Sequence, residues 1–515
     1  MAMRSREILF GLLFSLSTTV SAQTDTLYIP SIKEVYRHNS WLGGTNPVGL
    51  SFNRFRSFSV AEASYGHHKG NFGNVSLPAS ADVYSVYSES FQTVNKVSLY
   101  GKIGYTQFQN RQQNWNGMTG DYWQAINLCD SISGKQRSEQ YQLSGGFSLP
   151  IHRQWLLGVK ADYKVQLTAK DIDPRNKNQW MEWRLTPGVG YLCGNLHLGA
   201  SLLYVRRKET VDYQNMGSHT TYPVLVAYPL GFFKTLSWGE KVNWYYTGQE
   251  VGGALQFDLN RGSFQLYQEI CGSFAGQTAE SDRIKNKKEG ETDSWQVEYK
   301  GKLQLVFPGC RHEWEWLATF SHADNFDPLQ HQVESDTWQS DGRLLRSTRR
   351  TSRYALNYGY YRLRDAWHSY FYILSGISYR QAKTALLFYP AEYTQPIHRF
   401  TIHTTFVQNF LLPNASLDLS LGAQYGKGGG SIMEEKQLSP EENAPEITLW
   451  QNHSRLQQVF DYETMSRWGL HSSVTYTRSA SFRWFIQLTF DFEKTPRDVI
   501  YTDSRKITAQ IGLLF

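Results

Sequence analysis

The sequence lacks any apolar run long enough to cross a membrane as a helix. Its one such run, Ile8 to Val20, falls short of the about 20 residues that a span needs, which argues against a helical membrane protein. Cysteine is scarce: Cys129, Cys193, Cys271 and Cys310 are all there is, and none of them has the spacing of a zinc site. At most one disulfide and no metal centre are expected from them. The formal net charge is only +6 over 515 residues, which gives no reason to expect nucleic acid as a partner. No Pro/Ser linker, charge run or composition shift divides the chain, so one large architecture is expected rather than several domains. Enzyme signatures are missing too: there is no Gly-x-Ser-x-Gly elbow, no His-Glu-x-x-His and no P-loop. His67-His68 has no acidic partner close in sequence, and adjacent strand residues point to opposite faces, so a turn histidine pair without a metal is expected. Catalytic residues, cofactors and metal ligands are accordingly expected to be none.

What is present begins with a leader. Arg4 and Arg6 precede the apolar run and Val20-Ser21-Ala22 closes it with small residues, the pattern of a signal peptide over residues 1–22, with export and a start at Gln23. No cysteine follows the cut, so a lipid anchor is not indicated.

Aromatics make up 15% of the residues, yet the mean hydropathy is −0.49. A transmembrane β-barrel reconciles the two, because lipid-facing and lumen-facing residues alternate and cancel in any hydropathy window. The period is two nearly throughout. Val97, Leu99, Ile103 and Tyr105 alternate with Ser98, Lys102 and Thr106. Leu417, Leu419, Leu421, Ala423 and Tyr425 alternate with Ser416, Asp418, Ser420 and Gln424, and Phe482 to Phe492 oppose Ser481 to Asp491 in the same way. Such runs suit tilted spanning strands of about 9 to 11 residues better than globular strands of about five or six. Short connections near 150–153, 194–195, 260–263, 307–310, 412–414 and 478–480 alternate with long ones near 109–136, 208–249, 276–292, 323–349 and 427–460. The expected fold is all-β: an antiparallel up-and-down transmembrane barrel over residues 54–515 of about 18 strands, with 14 to 18 allowed because 208–249 and 380–397 are ambiguous. Residues 23–53 are expected to form a short periplasmic plug or hatch.

The last ten residues alternate as well, with Ile507, Ala509, Ile511, Leu513 and Phe515 on one face. This ending resembles the terminal strand by which the barrel-assembly machinery recognises outer-membrane clients, which implies that machinery as a partner and Phe515 as its signal. Near the other end, Asn46-Pro47-Val48-Gly49-Leu50 resembles the Asn-Pro-Ala-Gly-Leu turn of long-chain fatty-acid transporter-type barrels, with Val48 in place of Ala. The resemblance covers about ten residues and implies a segment folded into the periplasmic mouth. Pro47 fixes φ, and Gly49 is expected at positive φ so that the segment reverses direction beneath the barrel. Over its whole length the chain resembles a large uncharacterised family of outer-membrane β-barrels of anaerobic Gram-negative bacteria, often encoded near TonB-dependent receptors. That resemblance implies location and fold, not a substrate.

Parity places Lys102, Lys160, Asp162, Lys164, Glu182, Arg184, Arg207, Glu298, Lys300, Lys302, Glu313, Glu315, Arg353, Arg467, His471, Arg483 and Asp491 in the lumen. Both signs are present, so the interior reads as wet or cross-braced; cross-strand ion pairs are the expected use of most of these charges, with a selectivity constriction as the functional alternative. Arg283, Lys285, Lys287 and Lys288, and likewise Arg346, Arg349 and Arg350, are expected in solvated external loops where lipopolysaccharide phosphates are the natural counter-ions. The apolar stretch 222–246 is expected either as further strands or as a lid or docking surface at the mouth.

Three functions fit: a channel or transporter for a small solute, a non-transporting barrel that assists a TonB-dependent receptor or surface lipoprotein, or a lipid-modifying enzyme for which no base pair is identifiable. The first is the expectation. Register is also readable at two turns. Gly194-Asn195 suits a two-residue hairpin loop, which makes partner numbers sum to 389 and sets Glu182 opposite Arg207 and Arg184 opposite Val205. A three-residue turn at 478–480 makes the sum 958 and sets Arg467 opposite Asp491 and His471 opposite Gln487.

Overall fold

Strands dominate because alternating side chains leave each run one apolar and one polar face, and only a closed sheet satisfies all backbone groups between them. The computed structural model describes residues 32–515 except 54–56, 71–77, 120–123, 218–221, 239–240, 283, 285, 335–336, 366–367, 439–448, 480–481 and 496–502. The signal peptide expected over 1–22 lies outside the described residues, as do Arg283 and Lys285.

In chain order the strands are β1 (Ser57–Gly70), β2 (Ser80–Val94), β3 (Val97–Gln113), β4 (Asn127–Cys129), β5 (Gly134–Pro150), β6 (Trp155–Lys170), β7 (Arg175–Cys193) and β8 (Leu196–Gln214). There follow β9 (Pro223–Ala227), β10 (Phe232–Trp238), β11 (Val242–Arg261), β12 (Phe264–Ser281), β13 (Lys288–Phe307), β14 (Cys310–Glu334), β15 (Thr337–Leu363) and β16 (Ser369–Phe388). The last are β17 (Ala391–Leu412), β18 (Ala415–Gly430), β19 (Glu434–Gln437), β20 (Trp450–Gln451), β21 (Arg467–Ser479), β22 (Arg483–Lys494) and β23 (Asp503–Leu514). Eighteen of them pair antiparallel in chain order into a closed barrel, sealed where β1 meets β23 from Val60↔Leu514 to Gly70↔Ser504. β19 adds only a short pairing to β17, and β4, β9, β10 and β20 form a separate small sheet.

One face of each strand is apolar and exposed, as at Leu202, Leu255, Phe274, Leu421 and Ile511. An apolar band of this extent on the outside of a closed barrel is what lipid covers. At one end the strands join by tight turns. Gly194 and Asn414 each take φ of 59°, as a two-residue primed turn requires. The N-terminal segment and Phe515 lie at this same end, and the longer connections lie at the other.

Three expectations change here. Residues 323–349 are not a loop, because β14 and β15 stay paired from Cys310↔Arg362 to Glu334↔Thr337, 25 and 27 residues long, well beyond what a bilayer needs. The ambiguous stretch 380–397 is likewise the β16–β17 hairpin, paired down to Phe388↔Ala391. At the last tight turn Ser479 faces Arg483, so the sum is 962 rather than 958. His471 therefore stands opposite Asp491, and Arg467 does not. A slip of four is even and leaves every side chain on its own face, so alternation alone does not detect it. At Gly194-Asn195, Cys193 faces Leu196 and Glu182 faces Arg207, with Arg184 opposite Val205.

Candidate functional site in the lumen

Residues 32–53, the segment expected as a plug, lie against the inner wall at the tight-turn end as a short helix, Ile32–His38, and a 3-10 turn, Pro47–Phe52. Asn46 caps the turn by accepting from the Val48 N–H at 3.1 Å, and Pro47 takes the first position, where a missing N–H costs nothing. The other end of the same side chain reaches the wall. Asn46 Nδ2 donates to the carbonyls of Val189 (3.0 Å) and Ala200 (3.1 Å) on β7 and β8, and to Gln256 Oε1 (3.0 Å) on β11. Gly49 is not at positive φ. Its hydrogen is needed because a Cβ there would stand 2.3 Å from the Trp41 carbonyl oxygen. Leu50 packs with Val35, Phe58, Val60, Phe91 and Leu514, so the segment sits within the barrel wall rather than beneath it.

The wall is shaped for this segment. Gly158, Gly188 and Gly199 bare the backbone where Pro47, Asn46 and Trp41 lean on it, and a Cβ on Gly188 would meet Asn46 Oδ1 at 2.2 Å. Acids hold the rest: Trp41 Nε1 donates to Asp258 (3.1 Å), the Thr45 N–H to Glu269 (3.0 Å) and the Tyr36 hydroxyl to Glu89 (2.6 Å). Asp258, Glu269, Glu89 and the glycines were not singled out from the sequence. Their lumenal parity was the available signal, but nothing local showed which lumenal residues meet the plug.

The lumenal charges are mostly paired. Glu182 accepts from Arg207 Nε at 2.8 Å, Arg207 Nη2 reaches Glu250 at 2.8 Å, and Arg184 lies 3.6 Å from Glu182. Lys160 lies 3.5 Å from Asp162. Lys302 lies 3.4 Å from Glu313 and 3.1 Å from Glu315, and it also donates to the Arg37 carbonyl at 2.7 Å, latching the plug. Asp491 pairs with His471 at 2.6 Å, while Arg467 lies 3.9 Å from Glu493. The backbone of Phe515 bonds Ser59 in both directions (2.9 and 3.0 Å), helping to close the barrel. Between plug and far end lies a polar cavity of about 640 Å³ lined by Lys164, Glu182, Arg207, Glu250, Arg349 and Arg380.

The stretch expected as strands or as a lid forms strands, and they pack against the inner wall toward the far end. β9 and β10 form a hairpin that pairs with β4 on one side and β20 on the other, a small sheet independent of the barrel. Val224, Val226, Leu230 and Phe232 are buried against the inner-wall residues Val211, Tyr213, Trp244, Tyr246 and Leu386, and against Leu456 of the helix His453–Thr464. Arg346 and Arg349 are not in a solvated loop but on β15. Arg346 is buried and bonded through Nε to Asp327 at 2.8 Å, and Arg349 faces the cavities, leaving Arg350 exposed. The long β14–β15 pairing turned that basic run into strand. Lys287 sits over the Trp338 ring and Lys288 reaches Glu291 at 2.8 Å. His67 and His68 lie on β1, not in a turn, and His67 has an acidic partner across the sheet, Asp82 at 2.7 Å. His68 bonds Ser504 at 2.9 Å instead. Among the described residues no group of three or more metal-binding side chains comes together.

Known proteins with similar chain paths are outer-membrane barrels. The ferric preacinetobactin receptor BauA of Acinetobacter baumannii is 7% identical at a TM-score of 0.41, over 89% of this chain and 80% of that one. The ferric yersiniabactin uptake receptor FyuA of Yersinia pestis is 8% identical at 0.42, over 89% and 80%. The outer membrane transporter YddB of Escherichia coli is 8% identical at 0.40, over 90% and 81%. Likenesses this loose assign no activity to this chain. No curated protein sequence matches it. A family of unknown function (DUF6850) matches residues 47–515, from the plug turn to the last residue of the closing strand, and the chain belongs to that family.

Proposed function

We propose that this protein is an integral barrel of a Gram-negative outer membrane that passes a small solute, closed at rest by the plug below and the lid above. The observation that carries the reading is the interior space held between two caps: a cavity of about 640 Å³ bounded by side chains of both charges rather than a packed apolar core. A barrel that served only as an anchor would have no need of an interior space between two separately folded stoppers. The tight-turn end is the periplasmic one, since short turns face the periplasm and longer connections face outward.

Conductance of the purified protein in planar bilayers tests this. The wild type is expected to conduct poorly, and deletion of residues 32–53 to raise conductance severalfold while the barrel still shows the heat-dependent gel mobility of a folded sheet. A deletion variant that folds and conducts no better than wild type would overturn the reading.

A further inference from the structure

Beneath the lid lies a second cavity, of about 330 Å³, at the small end of the range that holds small molecules (about 300 to 1,000 Å³). Its walls are apolar at Trp115 and Met118 between β3 and β4, at Leu128 and Leu230 of the lid sheet and its turn, and at Leu456 and Val459 of the helix His453–Thr464. They are basic at side chains of the barrel and of that same helix. Arg349, Arg380 and Arg455 all line it, against one carboxylate, Glu463, which is engaged by Arg380 at 2.9 Å. Arg399, on the same side, is accounted for: its Nη1 caps the helix by donating to the carbonyls of Tyr462 (3.2 Å) and Glu463 (3.3 Å).

Arg455 is the anomaly. Its Nε and Nη1 are shut off from solvent and have no hydrogen-bond partner among the described residues, and its guanidinium lies over the face of the Trp115 ring, 5.0 Å away. Burial pulls its pKa below the usual arginine value, as expected of a cation without an acid beside it. Nε and Nη1 carry three of the guanidinium's five N–H donors, and leaving them buried and unmade is costly unless an acceptor arrives. Arg349 and Arg380 also line the central cavity, so those two side chains stand between the two spaces.

The geometry points to a binding site for a small organic anion, a carboxylate or phosphate monoester on a compact apolar body, with its head among Arg349, Arg380 and Arg455 and its body against Trp115 and Leu456. Guanidinium groups match both kinds of head in shape and charge. As a statement of what the barrel carries, this rests on the conduit reading above; as a binding site it stands without it.

Calorimetric titration of the full-length protein in detergent at low salt tests the site, with phenyl phosphate, benzoate and uncharged benzyl alcohol as probes. At least one of the two anions is expected to bind ten times or more tightly than the alcohol, and to weaken as salt rises. Arg455→Gln and Arg349→Gln should each lower anion affinity tenfold or more and leave the alcohol unaffected, whereas Arg455→Lys should retain part of the affinity. Equal binding of charged and uncharged probes, or anion binding untouched in both glutamine variants, would overturn the site. Liposome uptake of the same probes separates the two proposals. Anion binding without flux through the plug-deleted barrel overturns the conduit and keeps the site, and flux without preference for the anion overturns the site as a cargo filter and keeps the conduit.

Discussion

At the scale of single residues, the plug depends on what is missing from the wall as much as on what is there. Asn46 bridges three strands because one side chain end accepts within the turn while the other donates to β7, β8 and β11. Gly188 leaves the room for it, since a Cβ would lie 2.2 Å from Asn46 Oδ1 and 2.9 Å from Pro47 Cδ. Forcing a methyl into such a contact costs about 1 to 3 kcal/mol, and detaching the plug relieves it. Gly188→Ala is therefore expected to raise bilayer conductance toward that of the plug deletion. Gly145→Ala, where a Cβ would meet nothing within 4 Å, is the matched control and should behave as wild type. Identical conductance in the two variants would mean that the Asn46 seat does not hold the plug.

At the scale of elements, the lid is a small sheet assembled from distant pieces, and its stability comes from burial. Val224 is 0% exposed and belongs to an apolar cluster that includes inner-wall residues of β8, β11 and β16. A carboxylate there is desolvated without a partner, which the sheet avoids by leaving the wall. Cys129, on β4, reports on this movement: its thiol is buried, and burial pushes its pKa up to about 12. Alkylation needs the thiolate, so a raised pKa means slow reaction near neutral pH, and opening the lid returns the thiol toward its ordinary value of about 8.5. With Cys193, Cys271 and Cys310 replaced by serine, Val224→Asp should speed maleimide labelling of Cys129 at least tenfold. Unchanged labelling would show that the lid does not shield it.

At the scale of the whole molecule, orientation follows from the asymmetry of the two ends. An epitope placed within 280–290 or 435–445 is expected on the surface of intact cells. One placed at Pro413 or Ser479 should react only after the outer membrane is opened. Labelling in the reverse sense would invert the barrel, and with it the assignment of plug and lid to the periplasmic and external mouths. The extended β14–β15 hairpin, 25 and 27 residues long, projects from the end with the longer connections and places its tip outermost on this view.

The barrel, its inner and outer faces and the end that carries the tight turns are all legible in the amino-acid order, because a period of two and the residues that tolerate positive φ are local properties of the chain. That order also determined the Glu182–Arg207 pairing, since Gly194 and Asn195 leave one way to close a two-residue turn. The folded chain was needed to fix the register at Ser479↔Arg483, where an even slip changes no face, and the continuation of β14 and β15 through a stretch too polar to resemble membrane strand. It alone placed Asn46 between β7 and β8 and gathered 127–129, 223–238 and 450–464 into one lid over three arginines. Those contacts join segments up to hundreds of residues apart inside a lumen where polar and apolar side chains are both tolerated. No local pattern records which of them will meet.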